Sequence, residues 1–199
     1  MRRFDELAHE LLMTPGVVRL VGVDGCGAAG KTTFAARLAQ AAGDAPVVHT
    51  DDFASWDEPT QWWPRLLADV IEPLLSGNAA SYRPYDWVER RLGPDLVTVE
   101  PAPLVVIEGV GATRRAWRDR LARRIWMDTS REERLRRGLE RDGAHMLDFW
   151  QWWMAAEDAY VNEEQPRNGA DIVVDGDPGV VHHPEEWVQI VGTGASGPR

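Results

Sequence analysis

The sequence predicts an α/β fold with a mainly parallel, five-stranded sheet and helices on both of its faces. Three observations carry that prediction. Short apolar runs alternate with helical patterns along the chain. The runs at 17–23 and 104–107 are nearly unbroken, as in strands covered on both faces. A glycine-rich turn also joins the first run directly to a helix.

In chain order, residues 4–13 place apolar side chains at helical spacing and stop at Thr14-Pro15-Gly16. The strand at 17–23 leads into Gly25-Cys26-Gly27-Ala28-Ala29-Gly30-Lys31-Thr32, and Phe34, Ala35, Leu38, Ala39 and Ala42 continue as a helix up to Gly43. A second short strand, 46–49, runs into Thr50-Asp51-Asp52-Phe53. Residues 61–75 read as a helix with Pro64 near its start, Pro73 in its last turn and Gly77 beyond its end. The segment 81–103 is rich in Pro, Gly and charge and holds short strands or loops, 96–99 among them. A buried strand at 104–107 ends in Glu108-Gly109. A helix at 116–121, a strand at 124–127, a charged helix at 131–141, an aromatic-rich helix at 146–162 and a last strand at 172–174 complete the pattern. The chain reads as one domain over 1–191, with a disordered tail from Gly192.

Composition narrows the function. A net charge of −10 over 199 residues argues against sequence-independent binding to nucleic acid. No apolar run reaches membrane-spanning length, and the first residues lack the apolar core of a signal peptide. The single cysteine, Cys26, closes no internal disulfide, which fits a reducing cytoplasm. A local run of arginines (114, 115, 118, 120, 123 and 124) reads as a solvated helix face. Ten tryptophans are the compositional oddity.

The chemistry starts at residues 25–32, which fit the phosphate-binding pattern G-x-x-x-x-G-K-S/T between a strand and a helix. Small residues let backbone N–H groups turn inward around a phosphate, and the following helix adds its positive dipole end. Lys31 supplies a charge for the β- and γ-phosphates and Thr32 a hydroxyl for Mg²⁺. Gly25, Gly27, Ala28, Ala29, Gly30, Lys31, Thr32 and Thr33 thus form the expected cradle for ATP. In that electropositive loop the Cys26 thiol is expected to have a lowered pKa, although a small residue that merely fits is the simpler role. Ligands of open parallel sheets bind beyond the carboxyl ends of the strands. Three strands end there in carboxylates: Asp24, the pair Asp51-Asp52, and Glu108. Such groups hold Mg²⁺ or take a proton from an attacking hydroxyl, while capping the turn is the competing role for Asp51 or Asp52.

The succession GCGAAGKT, HTDDF, YRPYDW, LVVIEGV, an arginine-rich helix ending in RD, and ADIVVDG resembles the uridine kinase-like group of P-loop kinases. The resemblance spans about residues 17–176 and rests mainly on order and spacing. It implies a P-loop NTPase fold with a helical lid, and ATP- and Mg²⁺-dependent phosphorylation of a hydroxyl on a small metabolite: a nucleoside, vitamin or sugar. It implies Asp51 as base toward that hydroxyl, followed by Phe53, and Glu108 as the acidic residue closing the Walker B strand, beside Mg²⁺ with Thr32. Tyr85 and Asp86 match a pair at the acceptor pocket. Arg134, Arg137 and Arg141 fall in the lid helix, where a guanidinium suits the transferring phosphates. Glu132, Glu133, Glu140 and Asp142 are interleaved with them, so a salt-bridged surface helix is the competing reading.

Departures matter as much. Tyr85-Asp86-Trp87-Val88-Glu89-Arg90-Arg91 lacks the histidine that uridine kinases carry just after the pair, so pyrimidine recognition is not implied. Arg83, Arg90 and Arg91 are candidates for an anionic acceptor group, and Trp56, Trp62, Trp63 and Trp87 flank the same region. Trp150, Trp153, Met154, Glu157 and Val161 form a stripe expected to pack in the core. The alternative function is a P-loop ATPase or regulatory module with no acceptor but water. Asn-Lys-x-Asp and Leu-Ser-Gly-Gly-Gln segments are missing, which disfavours GTPases and ABC-type ATPases.

Overall fold

A computed structural model describes residues 1–56 and 61–192. Strand β1 (Arg2–Arg3) precedes helix α1 (Phe4–Leu12), strand β2 (Arg19–Asp24), helix α2 (Lys31–Ala41) and strand β3 (Val47–His49). A helical rod follows, from α3 (Trp63–Leu66) through a π-helical stretch (Leu67–Ile71) to α4 (Glu72–Leu75). Short strands β4 (Ala80–Tyr82), β5 (Tyr85–Asp86), β6 (Arg91–Leu92) and β7 (Val97–Val99) make two antiparallel pairs, β4 with β7 and β5 with β6. Then come β8 (Leu104–Glu108), β9 (Arg123–Asp128), α5 (Arg131–Asp142), α6 (Leu147–Glu164), β10 (Ile172–Asp175), β11 (Trp187–Val188) and β12 (Ile190–Gly192).

The central sheet has six strands in the order β12-β10-β9-β2-β8-β3. All neighbours are parallel except β12, which pairs antiparallel with β10. The sixth strand corrects the expected five. Its three residues are too few for a periodic signal. For the same reason β1 and β11, two residues each, were not legible.

Alternation along the buried strands sends side chains to two cores. Val21, Val23, Leu104 and Val106 pack with Leu7, Leu11, Phe34 and Leu38 of α1 and α2. Leu20, Val105 and Ile107 pack with Leu66, Val70, Ile71, Leu74 and Trp117 on the opposite face. Both faces are therefore covered, as the unbroken apolar runs predict. The first strand starts later than expected, at Arg19, because Val17 is 90% exposed.

The helix expected over 61–75 begins at Trp63 and contains the π stretch. Pro73 has no N–H, and a wider turn just upstream absorbs the missing bond. Residues 116–121 form only a 3₁₀ turn at Arg118–Arg120. The arginines there are not a free solvated face: Arg114, Arg115 and Arg118 gather on Glu164, and Arg124 pairs with Asp171 at 2.9 Å. Ser130 caps α5 by accepting from the Glu133 N–H at 3.2 Å. Of the tail expected from Gly192, that residue ends β12 and the remainder lies outside the described residues.

Candidate active site

The carboxyl ends of β2, β3 and β8 converge on a cavity of about 540 Å³. Its floor is the loop between β2 and α2. Gly25, Ala28 and Gly30 adopt positive φ of 154°, 59° and 94°, which turns successive amides toward the start of α2. Ala28 is the strained member, since a β-carbon in that region costs on the order of 1 kcal/mol. Gly27, Ala28, Gly30, Lys31, Thr32 and Thr33 line the cavity as expected, while Gly25 and Ala29 support the loop from behind. Lys31 is buried and its ammonium donates to the Cys26 carbonyl at 2.9 Å, with no salt bridge to a carboxylate among the described residues. The Cys26 expectation is overturned: burial pushes its thiol up to about 12, outweighing Lys31 and Arg134.

The three strand-end carboxylates separate into distinct roles. Asp24 is wholly buried and accepts from the N–H groups of Gly25, Gly111 and Thr113 and from the hydroxyls of Thr113 and Tyr160, at 2.6–2.9 Å. It is a structural hub and is not among the cavity-lining residues. Glu108 accepts from Thr32 Oγ1 at 3.1 Å and shares a 2.5 Å contact with His49 Nδ1, both through Oε1. That contact, led by the hydrogen bond, raises the His49 pKa. Glu108 Oε2 is buried with no hydrogen-bond partner. Asp52 is held by the Tyr82 hydroxyl at 3.0 Å and is not among the cavity-lining residues. Asp51 does line the cavity, and no side-chain hydrogen bond engages its carboxylate among the described residues. Surrounding protein displaces bulk water and raises the Asp51 pKa, with Lys31 opposing and Glu108 adding to the rise.

The arginines of α5 divide in the same way. Arg137 and Arg141 line the cavity. Arg137 also bonds Glu133, the Gly176 carbonyl and Asp177, and Arg141 bonds Asp142. Arg134 turns away and forms a buried pair with Glu157 at 3.0 Å.

Several acceptor-side expectations are not met. Phe53 is in the core against Tyr82 at 4.6 Å and beneath the Arg65 guanidinium. Tyr85 meets only the edge of Trp87, at 5.3 Å, and Asp86 caps the turn at Val88 and Glu89. Arg90 lies over the Trp56 ring at 4.8 Å, and Arg83 bonds the Pro94 carbonyl. None of these lines the cavity, nor does Arg91. Trp62 and Trp63 pack on Trp117. Of the flagged tryptophans, Trp87 lines the wall and Trp56 abuts it.

The opposite wall is α6, which the sequence reading assigned to packing. Phe149, Trp150 and Trp153 line the cavity. Glu157 accepts from the Gly27 N–H at 2.6 Å and from Trp153 Nε1 at 2.7 Å. An added β-carbon on Gly27 would lie 3.0 Å from Glu157 and 3.2 Å from Trp150, so the loop and α6 are in close contact. Sequence offered the apolar stripe but no signal for its orientation. A second cavity of about 240 Å³ shares Gly30, Thr33 and Arg137 with the first and continues along Phe34, Arg37, Gly176 and His182. It too was missed.

No family model matches the chain. It is 30% identical over 138 residues to a protein of Halobacterium salinarum named uridine kinase, covering 61% of each chain. The match to a uridine kinase of Chlamydia pneumoniae is 25% over 183 residues, covering 80% of this chain and 82% of that one. Among solved structures, a possible uridine kinase from Bacillus stearothermophilus superposes with a TM-score of 0.64 at 22% identity, covering 85% of this chain and 96% of that chain. This chain thus spans about three fifths of the halobacterial relative and most of the chlamydial one. Sequence likeness to proteins of one name agrees with a shared sheet and with the loop at residues 25–32. The chain is thus similar in sequence to proteins named uridine kinase and shares the fold of a possible uridine kinase.

Proposed function

We propose that the protein transfers the γ-phosphoryl group of ATP to a hydroxyl of a small metabolite. The observation that carries this is Asp51: a carboxylate with no bonded partner among the described residues, on the cavity whose floor is the phosphate loop. A module that only hydrolyses or senses nucleotide has no need of such a group beside so large a cavity.

The residues present fit the donor. The amides of the loop and the uncompensated ammonium of Lys31 suit phosphates. The second cavity adjoins the loop and has room for the base and ribose. Thr32 and Glu108 are oxygen donors, and the orphan Glu108 Oε2 is a buried acceptor awaiting a cation. Among the described residues no cluster of three or more His, Cys, Asp or Glu forms a cage. That agrees with Mg²⁺, which is held by one or two carboxylates plus phosphate oxygens. When bound, Mg²⁺ neutralises charge on those phosphates.

Asp51 accepts the proton as the acceptor hydroxyl becomes a nucleophile, and its raised pKa makes it a stronger base than an ordinary aspartate. Lys31, Arg137 and Arg141 stabilise charge on the group in flight. Trp87, Phe149, Trp150 and Trp153 keep water from competing with the acceptor. The test is phosphoryl transfer from γ-labelled ATP-Mg²⁺ to a panel of nucleosides, vitamins and other alcohols, with wild type and Asp51→Asn. Label in a phosphorylated acceptor, lost in the variant, is the expected result. Hydrolysis to phosphate at the same rate in both proteins, with every acceptor unlabelled, overturns the reading.

A further inference from the structure

Among the described residues, the acceptor end of the cavity is walled mainly by aromatic rings. Each lining indole has its one N–H already bonded within the protein. Trp87 donates to the Asp51 carbonyl at 3.2 Å, Trp150 to Asp142 at 3.1 Å and Trp153 to Glu157 at 2.7 Å. Trp56 extends the wall outward, 5.9 Å from Trp87 and 5.5 Å from Phe149, and donates to the Trp87 carbonyl at 3.3 Å. A tryptophan bonded in this way offers a ligand only its ring. Arg137 has Nε and both terminal nitrogens engaged by Glu133, Gly176 and Asp177. Among the described lining side chains at this end, Asp51 and the remaining N–H groups of Arg137 and Arg141 are the directional groups, and the arginines also serve the phosphate side.

We infer, resting on the kinase reading, that the acceptor is an alcohol carried on a flat, apolar or aromatic body. The body stacks on the aromatic wall, and its hydroxyl meets the Asp51 carboxylate. In the transfer itself the hydroxyl oxygen bonds the γ-phosphorus, the bond to the leaving β-phosphate oxygen breaks, and Asp51 keeps the proton. A polyol brings further hydroxyls to ring faces that cannot pair with them. A ring read by its edge, such as uracil, needs paired hydrogen-bonding groups that the ring faces of the described wall residues do not present. An apolar pocket disfavours an added hydroxyl by about 10²-fold.

The experiment measures kcat/KM for transfer from γ-labelled ATP to 2-phenylethanol, uridine, glycerol, choline and choline's neutral isostere 3,3-dimethylbutanol. The aromatic alcohol is expected to exceed glycerol by about 10²-fold and to exceed uridine. Trp87→Ala and Phe149→Ala are expected to raise its KM about tenfold, the scale of one lost stacking contact, with the KM for ATP unchanged; Trp87→Phe is expected to restore most of it. Should Trp87→Ala misfold, the Phe149→Ala and Trp87→Phe pair carries the test. Preference for glycerol, for uridine, or for choline over its isostere overturns the inference and leaves the kinase reading standing. Absence of transfer to every alcohol, with ATP still bound, overturns the kinase reading as well.

Discussion

The two sides of the cavity are built on opposite plans. On the phosphate-loop side hydrogen bonds fix the geometry: Asp24 alone ties Gly25, Gly111, Thr113 and Tyr160 into one buried network. On the far side, Trp56 bridges Trp87 of the β5–β6 hairpin and Phe149 of α6 through ring contacts, and Val88 and Leu92 stand exposed. Fixed hydrogen bonds hold a geometry to a fraction of an ångström, whereas ring contacts fix area and tolerate tilt. The first plan suits a triphosphate, whose charge must be met at set points. The second suits an acceptor recognised by shape.

The sharpest way to break this contrast is at Asp51, where the two sides meet the reaction. Asp51→Asn is expected to lower kcat by about 10³-fold with little change in the KM for ATP, the usual scale for losing a general base. Since the protein around the cavity desolvates Asp51 and holds its pKa above the ordinary 3.8, the acid limb of its pH–rate profile is expected above that value. An acid limb at or below it contradicts the assignment. Next in size is Asp24→Asn, which turns an amide N–H₂ toward donors and leaves buried N–H groups unpaired. Destabilisation of about 3 kcal/mol is expected in urea unfolding. A change under 1 kcal/mol would mean that the network is less rigid than its geometry implies.

The same contrast explains what the sequence made legible. The donor side is written locally: residues 25–32 are contiguous, Asp51 lies in the turn just after β3, and Glu108 ends β8, whose apolar run announces it. Glu157 meets Gly27 across 130 positions, and nothing in a helical stripe tells which residues turn toward a loop that far away. Tyr85 and Phe53 failed for a related reason. An aromatic residue satisfies a core and a pocket equally well, and only packing decided that Phe53 belongs to the core.

Lid packing sits between the two plans. Gly138 on α5 lies so close to Trp150 that an added β-carbon would be 2.3 Å from the ring. Gly138→Ala gains about 1 kcal/mol of helix propensity but overpacks the α5–α6 contact by about 1–3 kcal/mol. The expected net is a modest destabilisation, with a larger loss of kcat as Arg137 and Arg141 shift from the cavity. Full activity with a raised melting temperature would show that α5 adjusts freely.

Glu157 is where the hydrogen-bonded side and the aromatic side join, and it offers the most delicate test. Burial raises its pKa above the ordinary 4.5, and the Gly27 N–H, Lys31, Arg134 and Trp153 only partly oppose that rise. For a carboxyl whose folded pKa is raised, the folded state binds the proton more tightly than the unfolded state. Its contribution to stability is therefore greatest below 4.5 and declines as pH climbs through the interval up to the folded value. Glu157→Gln keeps an acceptor for Gly27 and Trp153 and never acquires the charge. Its melting temperature relative to wild type is expected to rise by a few degrees between pH 4.5 and pH 7. If instead the variant loses ground over that interval, the pair with Arg134 outweighs the burial of both charges. The ion pair, rather than the hydrogen bond to the loop, would then be what holds α6 against the phosphate site.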